Sequence, residues 1–325
     1  MESGSEVQKF HLTDELRGRR LDQVLGGLVA GTSRTRLQAW IKAGRVALAG
    51  AVIKKPGFIL LEGGELSIDL SDAEEHASAA ELDIPVLFAD EHWIVLDKPA
   101  GVLTHGNRPG GEASAASFAD ARFGPLPSPN RDHSASVYRP GVVHRLDRHT
   151  SGVLVLARTQ AALEALKEQF QGRNVQKTYI ALVHGTPRFD TEWVEGQIGR
   201  RENHRDRMSV VPAGEGRFAS TYYEVRERYR DAALLEVQPK TGRTHQVRVH
   251  LASVGLPLVG EKLYKPRRMA NVRLPAEAPP MARQALHAAK LVLLHPATGE
   301  STEFEAPLPA DMAELAEWLR THARA

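Results

Sequence analysis

The stretch HRLDRHTSGVLVLAR, His144–Arg158, changes character at Ser151. Its first half is polar and holds a single carboxylate, Asp147, among two arginines and two histidines. Its second half is a short, unbroken apolar run behind Gly152, which reads as a buried strand. Asp147 is therefore expected on a loop at the edge of a sheet, a usual place for a catalytic side chain on a rigid scaffold. The competing reading is a loop aspartate that caps a turn. Acid-base enzymes acting on sugars generally use two carboxylates, and this run offers one.

Working outward from that strand, further strand candidates cluster. IPVLFADEHWIVLDKPAG (84–101) has two apolar runs about Asp90-Glu91, a hairpin pattern. KTYIALVHG (177–185), STYYEVRERY (220–229), AALLEVQPKTG (232–242) and THQVRVHLA (244–252) are rich in β-branched and aromatic residues or alternate in polarity. As a strand, the last would put His245, Val247, Val249 and Leu251 on one face and Thr244, Gln246, Arg248 and His250 on the other. Between the strands, Thr159 is placed to cap a helix to Gln171, stopped by Gly172. DMAELAEWLRTHARA (311–325) predicts a final helix capped by Asp311. Clustered strands with few helices predict an α+β fold on a mixed, mainly antiparallel sheet. Gly106–Ser136 is expected to be a long loop.

The chain of 325 residues is long enough for two domains, and 42% hydrophobic with 25% charged residues is ordinary for a folded soluble protein. With no cysteine, thiolate catalysis, disulfides and cysteine-bound zinc are excluded. The polar N-terminus does not resemble a signal peptide, and no apolar run is long enough for a membrane span, so a cytoplasmic location is expected. Net charge is only +2, but it is segregated. Arg34, Arg36, Lys42, Arg45, Lys54 and Lys55 fall in an interval from Asp22 to Glu62 without any acid, and 71–97 is purely acidic. Such a basic block is either a nucleic-acid footprint or a solvated helix face.

The basic block belongs to a small unit. Leu21, Val24, Leu25, Leu28 and Val29 have helical spacing; Thr32 or Ser33 can cap a second helix carrying Leu37, Trp40 and Ile41, which Gly44 ends. RVALAGAVIKK then predicts a hairpin turning at Gly50, and GFILLEGGELSIDL another strand. This arrangement resembles the αL-type RNA-binding fold through Arg20-Leu21-Asp22, the Ser33-Arg34 helix start, Ile41 with Gly44, and Gly50. Ala49 departs from it, since an asparagine usually precedes that glycine. The organisation expected is an RNA-binding unit over 1–75, a linker over 76–84 and a second domain over 85–325.

Other chemistries fit poorly. His245 and His250 would lie on opposite strand faces and cannot share a metal; Ser151, His144 and Asp147 lack a nucleophile elbow; GGEASAASFAD lacks the lysine of a phosphate loop. PGVVHRLDRHTSGVLVLART, by contrast, resembles the catalytic motif of RluA-type pseudouridine synthases, HRLD-x-x-TSG. LDKPAGVLTH, KTYIALVHG, TGRTHQVRVHL and RQALHAAKLVLLHPATGE resemble four further blocks of that family, in its order. His105-Gly106 departs, where members usually have proline after the histidine.

The resemblance implies an RNA isomerase that detaches uracil from ribose, rotates it and rejoins it through carbon. It needs no cofactor and no metal, and a single carboxylate suffices because the departing base returns. Asp147 would attack the anomeric carbon or remove the neighbouring 2′ proton; both remain open. Tyr179 matches the tyrosine that stacks on the base, Arg243 the arginine that pairs with the aspartate, and Arg145 the arginine that fills the space left by a flipped base. Arg34, Arg36, Lys42, Arg200 and Arg205 are candidates for RNA phosphates, the last two on a loop between strands. The expected partner is RNA, large-subunit rRNA ahead of tRNA, bound by a monomer. The rival function is an RNA-binding or ribosome-assembly factor that keeps the fold without catalysis.

Overall fold

The computed structural model describes residues 7–29, 34–69, 79–106, 112–128, 139–201, 204–266, 269 and 271–323. The chain divides into two compact units, the first ending near Leu82 and the larger one starting at Asp83.

In the first unit, helices α1 (Leu21–Leu28) and α2 (Arg34–Lys42) pack beside a four-stranded sheet of β1 (Val7–Leu12), β2 (Val46–Leu48), β3 (Ala51–Val52) and β4 (Gly64–Asp69), in the order β1-β4-β2-β3. The apolar stripes read from spacing do form its core: Leu21, Leu25, Leu37, Ile41, Val46, Leu66 and Ile68 are all fully buried. Each such side chain contributes about 1.5–3 kcal/mol. Strand β1 is an addition, because VQKFHL carries too few apolar residues to announce itself. Ala49 and Gly50 both take positive φ, 47° and 81°, which makes the two-residue β2–β3 turn of the mirror-image type. Thr32 and Ser33, the expected caps, lie outside the described residues, as do residues 76–78 of the expected linker.

The larger unit is α+β. Among the described residues, ten strands form its sheet: β5 (Val86–Ala89), β6 (Trp93–Lys98), β7 (Ser151–Ala157), β8 (Gln176–His184), β9 (Thr191–Arg201), β10 (His204–Val211), β11 (Arg217–Tyr229), β12 (Ala232–Pro239), β13 (Leu286–Leu294) and β14 (Ser301–Glu305). The order is β10-β9-β11-β12-β8-β13-β7-β6-β5, with β14 paired to β13. Neighbours are antiparallel except β13 and β7, which run parallel. Its helices are α3 (Ala115–Phe123), α4 (Gln160–Gly172), α5 (Gln246–Ser253) and α6 (Ala310–His322). Alternate residues explain why the second half of β8 is apolar. Ala181 and Val183 pack with Val247 and Leu251 of α5, while Leu182 packs with Met312 and Leu315 of α6.

Several expectations need correction. Residues 246–253 form a helix rather than a strand, and every residue from Gln246 to Leu251 is buried. The alternation of apolar and polar residues there did not mark an inner and an outer face, because there is no outer face. The segment 106–136 is not all loop: Ser114 and Ser117 make a reciprocal capping box that starts α3. Helix α4 begins on the Thr159 hydroxyl as expected, but Gly172 is its last residue, and Arg173 takes the left-handed φ of 61°. Pro309 rather than Asp311 is the N-cap of α6; Asp311 instead receives both Nε and Nη2 of Arg283.

Gly152 does what its motif requires. Its φ is 114°, and a Cβ there would come within 2.2 Å of the Ala288 carbonyl oxygen on β13. Only glycine lets β7 lie this close to β13 immediately after the Asp147 loop.

Candidate active site

Asp147 lies between Leu146, which is buried, and the start of β7. The loop is tied down from the β6 side. Lys98 is completely buried, and its three ammonium protons reach the carbonyls of Pro99, Val102 and Arg148 at 2.8, 2.8 and 3.1 Å. Thr104 Oγ1 donates to the Leu146 carbonyl at 2.8 Å and accepts the Leu146 N–H at 3.0 Å. Gly101 N–H adds a bond to the Arg148 carbonyl. Burial lowers the Lys98 ammonium to about 7, against the opposing attraction of Asp147. The backbone on both sides of Asp147 is thus fixed by partners in LDKPAGVLT, which is why these two separated motifs belong to one site.

His144 secures the other end. Its Nε2 accepts the Val155 N–H at 2.9 Å and its ring stacks on Phe170, with centroids 4.5 Å apart. Burial pushes its pKa down to about 3, so the ring is neutral and its remaining proton sits on Nδ1.

The arginine on Asp147 is Arg248, not Arg243. Arg248 Nη1 donates to Asp147 Oδ2 at 3.0 Å, while its Nε and Nη2 grip Glu261 at 2.8 and 2.9 Å. Glu261 Oε1 also accepts the backbone N–H of Leu263 at 2.8 Å. Arg248 lies in contact with the Tyr264 ring, 5.0 Å from its centroid. A guanidinium held at two of its three nitrogens by Glu261 presents the third to Asp147 with little freedom left. Burial opposes its charge, but the hydrogen bonds and charges of Glu261 and Asp147 prevail and raise its pKa.

Arg243 lines the same cavity but points its Nε at the Phe218 carbonyl, 3.1 Å away. The helical conformation explains the exchange. With α5 starting at Gln246, position 248 turns inward and position 243 stays in the preceding loop. That loop is shaped by Gln246, whose Oε1 accepts from Thr241 Oγ1 at 2.6 Å and from Arg243 N–H at 3.0 Å. Its Nε2 donates to the Ser220 carbonyl at 3.0 Å and to Thr221 Oγ1 at 2.9 Å. A buried amide with all four of these bonds made anchors a loop at little cost.

Asp147, Tyr179, Arg243, Arg145 and Arg248 all line one cavity of about 470 Å³. Tyr179, on β8, is kept neutral: burial raises its pKa and the charge of Asp147 adds to the effect. Arg145 is exposed at the mouth, and no hydrogen bond or ion pair occupies it among the described residues. Lys167, Arg173, Lys177 and Lys240 also line the cavity, against Asp147 as its one acid, so it favours a polyanion. Burial, with Lys240 and Arg173 nearby, lowers Lys177 to about 8. Arg200 and Arg205 belong to β9 and β10, not to a loop, and Arg200 is exposed; Lys42 is exposed at the end of α2. The side chains of Arg34, Arg36 and Arg205 lie outside the described residues. Among the described residues, no group of three or more His, Asp or Glu could hold a metal ion, and no helix is long and apolar enough to cross a membrane.

Sequence reasoning passed over Arg248, Glu261, His245 and Tyr264. One signal was present: Glu261 is the sole acid between Glu236 and Glu277, set within the apolar run GLPLVGEKLY, and a buried acid needs a cation.

Residues 92–253 match the family described as RNA pseudouridylate synthase, and residues 19–66 match the S4 domain. The chain is 39% identical over 324 residues to a ribosomal large subunit pseudouridine synthase D of Xanthomonas campestris pv. campestris, covering 97% of this chain and 93% of that protein. It is 36% identical over 311 residues to an uncharacterized RNA pseudouridine synthase of Bacillus subtilis (strain 168), covering 95% of this chain and 96% of that protein. Among solved structures, human RNA pseudouridylate synthase domain containing 4 superposes with a TM-score of 0.56 at 26% identity, over 72% of this chain and 92% of that one.

Proposed function

Because the chain belongs to the RNA pseudouridine synthase family, we propose that it converts uridine to pseudouridine in large-subunit ribosomal RNA, with Asp147 as the residue that acts on the nucleotide. The observation that carries the assignment is the Arg248 contact to one oxygen of Asp147, made inside a cavity lined by cations and a neutral tyrosine. Arg248 orients the carboxylate and favours its charged form, and the second oxygen remains turned to the cavity. Whether that oxygen attacks the anomeric carbon or takes the 2′ proton, the base it releases stays in the site and returns through carbon. One carboxylate is then enough.

Tyr179 offers an aromatic face to a base brought out of its helix, and Arg145 at the mouth is available to take the place the base vacates. Arg243 serves the RNA from the cavity wall rather than Asp147. An RNA-binding unit over 1–75, joined by 76–84 to a catalytic domain over 85–325, contacts phosphates through Arg34, Arg36 and Lys42, with Arg200 and Arg205 on the catalytic domain. The protein works as a monomer in the cytoplasm. The ribosomal substrate is favoured by the name of the Xanthomonas relative, which aligns over nearly the whole chain.

The test is tritium release from RNA labelled at uridine C5, using large-subunit rRNA and tRNA transcripts with wild type and Asp147→Asn. Wild type is expected to release tritium from the ribosomal transcript, and the variant from neither. Release by the variant would remove Asp147 from the chemistry, and release from tRNA alone would replace the substrate.

A further inference from the structure

The pairing with Arg248 accounts for one oxygen of Asp147. A second chain of contacts ends near the other. His245 sits just before α5 with φ 55°, a left-handed conformation that is uncommon for a residue other than glycine. Strain of this sort, where the surroundings over-determine it, tends to mark a functional position. What holds it is Tyr264, whose Oη lies 2.6 Å from His245 Nδ1.

The same phenol oxygen accepts the backbone N–H of Met208 at 3.2 Å. Its own proton can point at the imidazole, and the Nε2 edge of the ring faces the Asp147 carboxylate, so we assign Nδ1 as the acceptor and the ring proton to Nε2. Burial lowers the pKa of His245, and Arg248 and Arg145 act the same way against the opposing pull of Asp147 and Glu261. The ring is a neutral donor whose N–H direction is set by the Tyr264 hydroxyl.

That Nε2 faces Asp147 Oδ1 at 3.6 Å. The separation is too long for a hydrogen bond. Both groups line the cavity, and Asp147 Oδ1 accepts no hydrogen bond among the described residues. The cavity thus presents one aimed donor and one aimed acceptor side by side. A group that accepts from one and donates to the other is a hydroxyl.

We infer that His245 and Asp147 together read the ribose 2′-hydroxyl of the target nucleotide, the His245 Nε2–H donating to the hydroxyl oxygen and Asp147 Oδ1 accepting its proton. This rests on the reading of Asp147 as the residue that acts on the target uridine. It makes His245 a specificity-determining contact and Tyr264 its positioning residue. The 2′-hydroxyl is both donor and acceptor, and it is the group by which a site tells RNA from DNA. Holding it against Oδ1 also sets the ribose carbons at a fixed place relative to the carboxylate.

The experiment compares two strands that differ only at the target, uridine against 2′-deoxyuridine. Dissociation constants and kcat/KM are measured for wild type, His245→Ala, His245→Gln and Tyr264→Phe. The intrinsic effect of the missing hydroxyl on reactivity is common to all four proteins, so it cancels when their ribo-to-deoxy ratios are compared. The wild-type ratio is expected to exceed that of His245→Ala by at least about tenfold, as for loss of a hydrogen bond in a charge-containing pair. His245→Gln keeps an N–H donor of similar reach and should recover part of the ratio. Tyr264→Phe should fall between, and in ¹⁵N spectra of the ring its His245 should lose the single Nε2–H tautomer. A merely structural role would slow both strands equally and leave the ratio untouched. Equal ratios in wild type and His245→Ala, with wild type active on RNA, overturn this inference alone. Wild type inactive on the ribose strand overturns the functional reading and this inference with it.

Discussion

The tripeptide Arg-Leu-Asp occurs twice in this chain, at 20–22 and at 145–147, and the two copies are wired differently. In the first unit Arg20 folds onto its own neighbour. Its Nε and Nη2 reach the two oxygens of Asp22 at 3.0 and 3.1 Å, and Gln38 Nε2 adds a third bond at 2.6 Å. Asp22 is completely buried and both of its oxygens are engaged. In the second unit Arg145 points to solvent, and Asp147 receives its guanidinium from Arg248, 101 positions along the chain. There one oxygen is bound and the other faces the cavity. The difference teaches what separates a structural carboxylate from a reactive one: the first has both oxygens engaged within the fold, the second is oriented on one side and left open on the other.

The sharpest way to break the contrast is to remove the distant arginine. Arg248→Ala leaves Asp147 without its orienting contact and Glu261 buried without its cation. Loss of one partner from a buried pair costs about 3–5 kcal/mol of stability, and the single-turnover rate should drop by about 10²–10³-fold, as for other preorganised charge contacts. Arg248→Lys should recover little, because one ammonium cannot span Glu261 and Asp147 in a planar fork. Rapid-quench tritium release with urea melts separates the two effects. A variant that folds and reacts at the wild-type rate would show that Asp147 needs no orienting cation.

The corresponding change in the first copy should behave otherwise. Asp22→Ala strands Gln38 and Arg20 and removes a charge that the helix start is built around. The expected loss is about 2–3 kcal/mol, given one side of the network lies in solvent. It should appear as faster amide exchange in α1 and α2, with the β7 and β13 amides of the larger unit unaffected. Equal acceleration in both units would mean that they do not unfold separately.

The two copies also mark how far sequence can be read. The helix carrying Asp22 was legible because its apolar stripe is clean and Arg20-Leu21-Asp22 marked the resemblance, although the burial of Asp22 and its bond from Gln38 were not read. The strands around Asp147 were legible for a related reason: β6, β7, β12 and the second half of β8 are apolar because both of their faces are covered. The arginine of the site was not. Helix α5 is buried on all sides, so its polar residues do not mark a solvent face; Gln246, Arg248 and His250 each have a partner inside the protein. With no amphipathic stripe to show a period of 3.6, Val247, Val249 and Leu251 imitate a strand; Arg243 was expected as the cation through the match of TGRTHQVRVHL to the family, and the helix puts Arg248 there instead. The hairpin β9–β10 escaped for the opposite reason. Exposed and charged at the sheet edge, TEWVEGQIGRR offers little apolar alternation beyond Trp193, Val194 and Ile198.

The smallest effect expected in this comparison lies at a residue that touches neither aspartate. Ala49 holds φ 47° in the turn between β2 and β3, where its N–H bonds to the Glu65 carbonyl at 2.8 Å. An alanine bears the Cβ penalty of the left-handed region there, whereas asparagine tolerates that region by bonding locally. Ala49→Asn should therefore stabilise the first unit by about 0.5–1 kcal/mol, read as slower exchange of the β2 and β4 amides. Because, among the described residues, the Ala49 turn and the bonds of Asp22 to Arg20 and Gln38 have no residue in common, the gain should add to the loss from Asp22→Ala in the double variant. Non-additivity would mean that hairpin and helix start respond as one element, and that the first Arg-Leu-Asp reaches further through its unit than its three bonds to Arg20 and Gln38.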